Sequence, residues 1–132
     1  MKHTDLKDRS VQLAVDVVKM TEGMPASPAG RYYGGQVLRS TGSATLNYGE
    51  ARGGETHRAF THKLNIFRKE IRGSCLCMRV TTGTGLHPKS EMLMTISKEV
   101  SELLSIFTAA VRTAERRSRR KGPGEARSED LS

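Results

Sequence analysis

Between Lys89 and Arg117 the apolar residues Leu93, Ile96, Val100, Leu103, Phe107, Ala110 and Ala114 recur at alternating steps of three and four. That spacing gathers them on one face of an α-helix, whereas a strand would scatter them over both of its faces. A seam seven positions long cannot stay in water, so the chain must supply other amphipathic helices to cover it.

It supplies three. The first spans about 4–22, with Thr4 or Asp5 as N-cap and Gly23 as its stop. Val11, Ala14, Val15 and Val18 form one apolar stripe, and Leu13, Val17 and Met20 form a second beside it. Such a wide apolar arc predicts contact on two sides, one of them with another subunit. Ser27 and Pro28 then suit the N-cap and first position of a second helix over about 29–51. Tyr33, Val37, Ala44, Tyr48 and Ala51 recur on one side of it. Gly35, Gly42 and Gly49 repeat every seven residues on a neighbouring line. Each glycine costs about 0.5–1 kcal/mol relative to alanine inside a helix, so the line predicts close backbone approach. A third helix over about 55–80 carries Phe60, Leu64, Phe67, Ile71 and Met78. TTGTGLHP at 81–88 reads as a loop before the fourth helix, about 89–117. Residues 118–132, a basic run followed by a polar and mildly acidic end, read as a disordered tail.

No segment requires a strand, and the connections are short. The expected fold is therefore all-α, an antiparallel up-down-up-down four-helix bundle occupying residues 1–117 as one domain. Its 132 residues suit a single domain. No apolar run approaches the ~20 residues that span a bilayer. The polar opening MKHTDLKDRS lacks an apolar signal core, which predicts a cytoplasmic protein. Twenty-two Lys and Arg against fourteen Asp and Glu leave a formal charge of +8, which points to an anionic partner.

Four short stretches in order resemble a known family. They are Asp5-Leu6-Lys7 leading to Lys19-Met20-Thr21; Tyr33 followed by Gln36-Val37-Leu38-Arg39-Ser40; Asn47-Tyr48-Gly49-Glu50-Ala51; and Phe60, Leu64 and Ile66 on the third helix. Together, over Asp5 to Arg116, the chain resembles the four-helix-bundle proteins encoded in intervening sequences of bacterial large-subunit ribosomal RNA genes. That group is related to the accessory variability protein of diversity-generating retroelements. Thr45 stands where the family usually has proline, and Gly73 where it usually has glutamate. The resemblance implies a homopentameric ring without catalytic activity. Through the retroelement branch it implies binding of RNA or DNA and of a reverse transcriptase. It also singles out Asn47 and Glu50, with Glu50 expected to tie helices or subunits together through Arg39 or Arg52.

Charge provides an independent line. On the third helix Arg58, Arg68, Lys69, Arg72 and Arg79 fall opposite the Phe60–Phe67 stripe, with His62 among them. This ladder extends roughly 30 Å at 1.5 Å per residue, long enough to follow a phosphate backbone by charge neutralisation and counterion release. A solvated outer helix face would look similar. Arg112, Arg116, Arg117, Arg119, Arg120 and Lys121 form a second cluster. Cations near a helix C-terminus are favoured by its dipole in any case, but six in ten residues exceed that need. With few aromatic residues interleaved, backbone and shape recognition is expected in preference to base stacking.

Other chemistry finds little footing. Glu99 and Glu102 have the spacing of a bundle metal site, but the second and third helices lack matching Glu/His pairs. His3, His57, His62 and His87 show no zinc spacing. Cys75 and Cys77 would point about 200° apart on a helix, so they cannot chelate together, and Cys75 suits a small apolar packing role. The expectation is a non-enzymatic scaffold or accessory protein without metal or cofactor, binding nucleic acid through its basic surface. The alternative is an assembly module that binds a protein such as a reverse transcriptase without touching nucleic acid.

Overall fold

A computed structural model describes residues 3–50 and 56–131, with side chains for 6–48 and 56–119. The described residues form four α-helices: α1 (His3–Glu22), α2 (Pro28–Glu50), α3 (His57–Thr84) and α4 (Ser90–Leu131). They pack in sequence order, α1 on α2, α2 on α3 and α3 on α4, and α4 returns to α1 over a shorter contact. This is the sequential arrangement expected of an up-down four-helix bundle.

Local chemistry sets the ends. The Ser27 hydroxyl accepts from the Gly30 amide at 3.1 Å, with Pro28 beginning α2 where a missing N–H costs nothing. Thr56 caps α3, its hydroxyl accepting from the Ala59 amide at 3.1 Å. Gly85 closes α3 in the left-handed region at φ 67°, a conformation open to glycine at little cost. The expected loop at 81–88 therefore starts later. Thr81 is buried within α3, and Gly83 is carried inside the helix.

The seam of α4 goes inward. Leu93, Ile96, Val100, Leu103, Phe107 and Ala114 are buried, together with Val111, which the spacing argument passed over. They meet Leu64, Phe67, Ile71 and Met78 of α3, Val37, Ala44 and Tyr48 of α2, and Leu13, Val17 and Met20 of α1. Tyr48, Phe67 and Phe107 form an aromatic triangle with centroid separations of 5.8–6.3 Å, within the range of favourable inclined ring contacts. Ser40 and Ser74 hydrogen-bond across α2 and α3 inside the core. Thr41 and Thr81 return their hydroxyls to the Val37 and Cys77 carbonyls of their own helices, so these buried donors are satisfied.

The two stripes on α1 divide: Leu13–Val17–Met20 enters the core, and Val11, Val15 and Val18 are 47%, 39% and 47% exposed. Two expectations need correction. The glycine line does not serve close approach within the bundle, because a Cβ at Gly35 or Gly42 would meet nothing within 4 Å. Gly49 and Ala51 lie outside the described side chains. Close approach occurs instead at Gly30, packed on Pro25, and at Gly23, packed on His87. Finally, α4 does not end at Arg117. His57 Nε2 lies 3.1 Å from the Ala114 carbonyl and 3.0 Å from the Ser118 hydroxyl, which ties the next turn to the start of α3. The side chains of the tail from Arg120 onward lie outside those described.

Candidate nucleic-acid interface

At 100° per residue, the core line of α3 runs through Leu64, Phe67, Ile71 and Met78. The edge nearest α4 is marked by His57, bonded to Ala114 and Ser118, and by Cys75, whose thiol bonds Ser101. Arg68, Arg72 and Arg79 follow at steps of four and seven on the outer side of that edge. Arg58 lies ten residues before Arg68, nearly three turns toward the N-terminus, and is turned toward the outermost line of α3. On α4 the matching outer edge carries Ser97, Ser101, Ser105 and Thr108, then Arg112, Arg116 and Arg119. Because the two helices run in opposite directions, Arg112, Arg116 and Arg119 stand at the Arg58 end. Arg72 and Arg79 stand farther along, beside the serines. One face thus holds Arg68, Arg72 and Arg79 of α3 with Arg112, Arg116 and Arg119 of α4 and a row of hydroxyls, and among the described side chains Glu115 is the acid on it.

Arg58, Lys69, Arg72, Arg79, Arg112, Arg116 and Arg119 are exposed. Among the described residues no ion pair engages Lys69, Arg72, Arg79, Arg112, Arg116 or Arg119. Arg68 is half-buried and donates from Nε and Nη2 to the Asn65 side-chain oxygen at 3.1 and 2.7 Å. That pair holds the guanidinium against α3 while leaving its charge uncompensated. Lys69 and His62 lean toward the outermost line of α3. Arg117 departs from the group. One residue past Arg116, it is turned about 100° away and lines a cavity at the end of the bundle. Arg120 lies outside the described side chains.

Asp16, Glu99 and Glu102 lie on the opposite flank, where α1 meets α4. Arg9 of α1 donates to Glu99 through Nε at 2.9 Å and Nη2 at 2.6 Å, and to Glu102 through Nη2 at 2.8 Å. This bidentate hydrogen bond to Glu99, with the charge of both carboxylates, raises the Arg9 pKa against the opposing effect of burial. Asp16, Glu99 and Glu102 line the same α1–α4 groove. The i, i+3 glutamates considered as a metal pair are thus engaged in holding the first helix on the fourth. Among the described residues no group of three His, Cys, Asp or Glu is placed to hold a metal ion.

Arg39 pairs with Glu70 of α3 at 3.1 Å, which joins α2 and α3. Glu50 lies outside the described side chains and Arg52 outside the described residues. Asn47 donates its amide to the Ser43 carbonyl at 2.8 Å and lies 3.2 Å from the Ser43 hydroxyl, within its own helix. His87, a loop residue with no role in any sequence motif, is 5% exposed and bonded at both ring nitrogens.

The thiols of Cys75 and Cys77 are both pushed up, in each case chiefly by burial. The Ser101 hydrogen bond opposes the shift at Cys75, and the Arg39 charge opposes it at Cys77. Neither has the lowered pKa of an activated nucleophile.

The fold defines a four-helix all-α protein. No family model matches the chain, and no curated protein or solved structure matches it either. No helix of the described residues is long and apolar enough to cross a membrane.

Proposed function

We propose that this protein is a non-enzymatic, homo-oligomeric accessory or scaffold protein that binds nucleic acid through the outer face of α3 and α4. The observation that carries this reading is the face shared by Arg68, Arg72, Arg79, Arg112, Arg116 and Arg119, on which Glu115 is the acid among the described side chains. An exposed row of guanidinium groups attracts phosphate, and forming those contacts releases condensed counterions. The hydroxyls of Ser97, Ser105 and Thr108 add groups suited to phosphate and sugar oxygens. No aromatic side chain lies on this face, which favours duplex shape over stacked single-stranded bases. The ordered motif resemblance to the ribosomal RNA intervening-sequence and retroelement accessory proteins supports the same reading. It also extends the reading to a pentameric ring and a reverse transcriptase as protein partner.

The outward apolar stripe of α1 supports self-association. Val11, Val15 and Val18 are exposed there, and Leu38 and Leu46 are exposed on the neighbouring α2. The uncrowded Gly35 and Gly42 lie beside Leu38 and Leu46 on α2, so a second copy can approach that helix closely. A ring would repeat the cationic face around its rim and multiply the phosphate contacts per particle.

Fluorescence anisotropy with a structured RNA and a duplex DNA, titrated from about 50 to 200 mM salt, tests the electrostatic reading. Binding that weakens steeply with salt supports it. Absence of binding at the low end, or affinity independent of salt, refutes it. The alternative of a purely protein-binding module then takes its place, with capture of the reverse transcriptase as its observable.

A further inference from the structure

At the end of the bundle opposite the α3–α4 turn, Leu6 is the first described side chain of α1, and α4 runs on beyond its level. Arg9 sets the level of α1 against Glu99 and Glu102, so Leu6 lies near Ile106, and α4 continues past it to Arg117 and beyond. Beside Leu6, between the helices, there is an open cavity of about 350 Å³. Phe60, Leu64, Ile106, Phe107 and Ala110 supply its apolar wall, and Arg117 stands among the lining residues. Among the described residues no carboxylate lines it. The other basic lining side chain, His57, is engaged with the Ala114 carbonyl and the Ser118 hydroxyl. Arg117 is exposed and forms no ion pair among the described residues.

We propose that this cavity binds a small amphipathic carboxylate of the medium-chain fatty-acid class. The apolar tail would lie against Phe60, Ile106 and Phe107, and the carboxylate would meet Arg117. The volume falls in the range of small-molecule sites, about 300–1,000 Å³, and such sites combine a mostly apolar wall with a few orienting polar groups. A guanidinium with no competing acid among the described residues recognises a carboxylate through paired hydrogen bonds. Charge therefore selects the head group, while the apolar wall takes the tail. The site is separate from the α3–α4 face, because Arg117 is turned away from Arg116 and Arg119. Its existence does not depend on nucleic-acid binding.

The test uses the full chain, with methyl and amide NMR shifts followed during titration with decanoate below its micelle concentration. Decan-1-ol and decyltrimethylammonium are titrated in parallel as neutral and cationic probes of the same chain length. Decanoate is expected to shift Leu6, Leu64, Ile106 and Ala110, with decanol weaker and the cation weakest. Arg117→Gln, an exposed substitution, is expected to weaken decanoate about tenfold, the equivalent of one charge-assisted hydrogen bond. It should leave decanol unchanged. Ala110→Phe, checked for retained helicity, is expected to abolish both by filling the space. Equal binding of all three probes, shifts centred elsewhere, or an unchanged decanoate affinity in Arg117→Gln would overturn the proposal. So would cavity methyls already covered by a second copy, shown by concentration-dependent shifts without probe.

Discussion

The buried ring of His87 lies against the last turn of α1, with Nε2 3.0 Å from the Met20 carbonyl. Its Nδ1 accepts the Lys89 amide at 3.0 Å, so the proton must sit on Nε2, which donates to Met20. One neutral side chain thereby fastens the α3–α4 turn to the end of the first helix, with every ring nitrogen satisfied. Gly23 makes room for it: a Cβ there would lie 2.5 Å from Nε2.

Gly23→Ala should therefore cost about 1–3 kcal/mol of stability through forced repacking. His87→Ala should cost a similar amount, about 1–3 kcal/mol, by leaving a void and an amide without its acceptor. The two effects should not add. With the imidazole gone, the alanine at position 23 fits, and a double-mutant cycle in urea should show a coupling of about 1 kcal/mol or more. Strict additivity would contradict this packing relationship.

The α1–α4 seam depends on Arg9. Replacing it with alanine leaves Glu99 and Glu102 one turn apart without their shared cation, and should destabilise the fold by about 1–2 kcal/mol after allowance for partial solvent screening. Lysine should recover only part of the loss, since it cannot make the bidentate contact. By contrast, Arg39 is 60% exposed in its pair with Glu70, and Arg39→Ala should change stability by less than about 1 kcal/mol. Denaturant midpoints with unchanged slopes would provide both measurements.

How much of this was legible beforehand differs from helix to helix. On α4 the apolar seam stands alone against polar neighbours, and period alone identifies the buried face. On α1 the Val11–Val15–Val18 and Leu13–Val17–Met20 stripes have the same period, so spacing cannot rank them. The buried stripe lies on the side where Arg9 meets carboxylates about ninety residues away, a contact that spacing does not reveal. The glycines mislead for a related reason: Gly23 and Gly35 look alike in sequence, but only Gly23 has a ring against it. Within the basic cluster, Arg116 and Arg117 are neighbours in sequence and separate in space, because one helical step rotates a side chain by about 100°.

Cys75 and Cys77 offer a pH test. Burial raises both thiols above their ordinary value, so the folded protein holds those protons to higher pH than the unfolded chain does. The associated stability is fully present below the unfolded value and is lost as pH rises through the folded one. Iodoacetamide labelling should be slow at neutral pH and accelerate at a higher pH than for a free thiol. Urea should remove the difference, and rapid labelling of the native protein at neutral pH would contradict the burial.

If the exposed stripe of α1 is where copies meet, Val15→Lys should lower the particle mass measured by light scattering. Helicity should be retained, because Val15 is not in the core and an exposed substitution of this kind changes fold stability by roughly 0.5 kcal/mol or less. An unchanged mass would place self-association elsewhere.

The central proposal concerns the α3–α4 face, and charge reversal tests it most directly. The measurement compares RNA affinity and its salt slope for the native chain, for Arg72→Glu/Arg79→Glu/Arg116→Glu, and for a control with Lys7→Glu/Lys19→Glu on α1. The account predicts that the triple variant loses at least about tenfold in affinity and has a visibly shallower salt dependence, with circular dichroism unchanged, whereas the control stays closer to the native chain. Equal losses in the two variants, or native affinity in the triple variant, would contradict it.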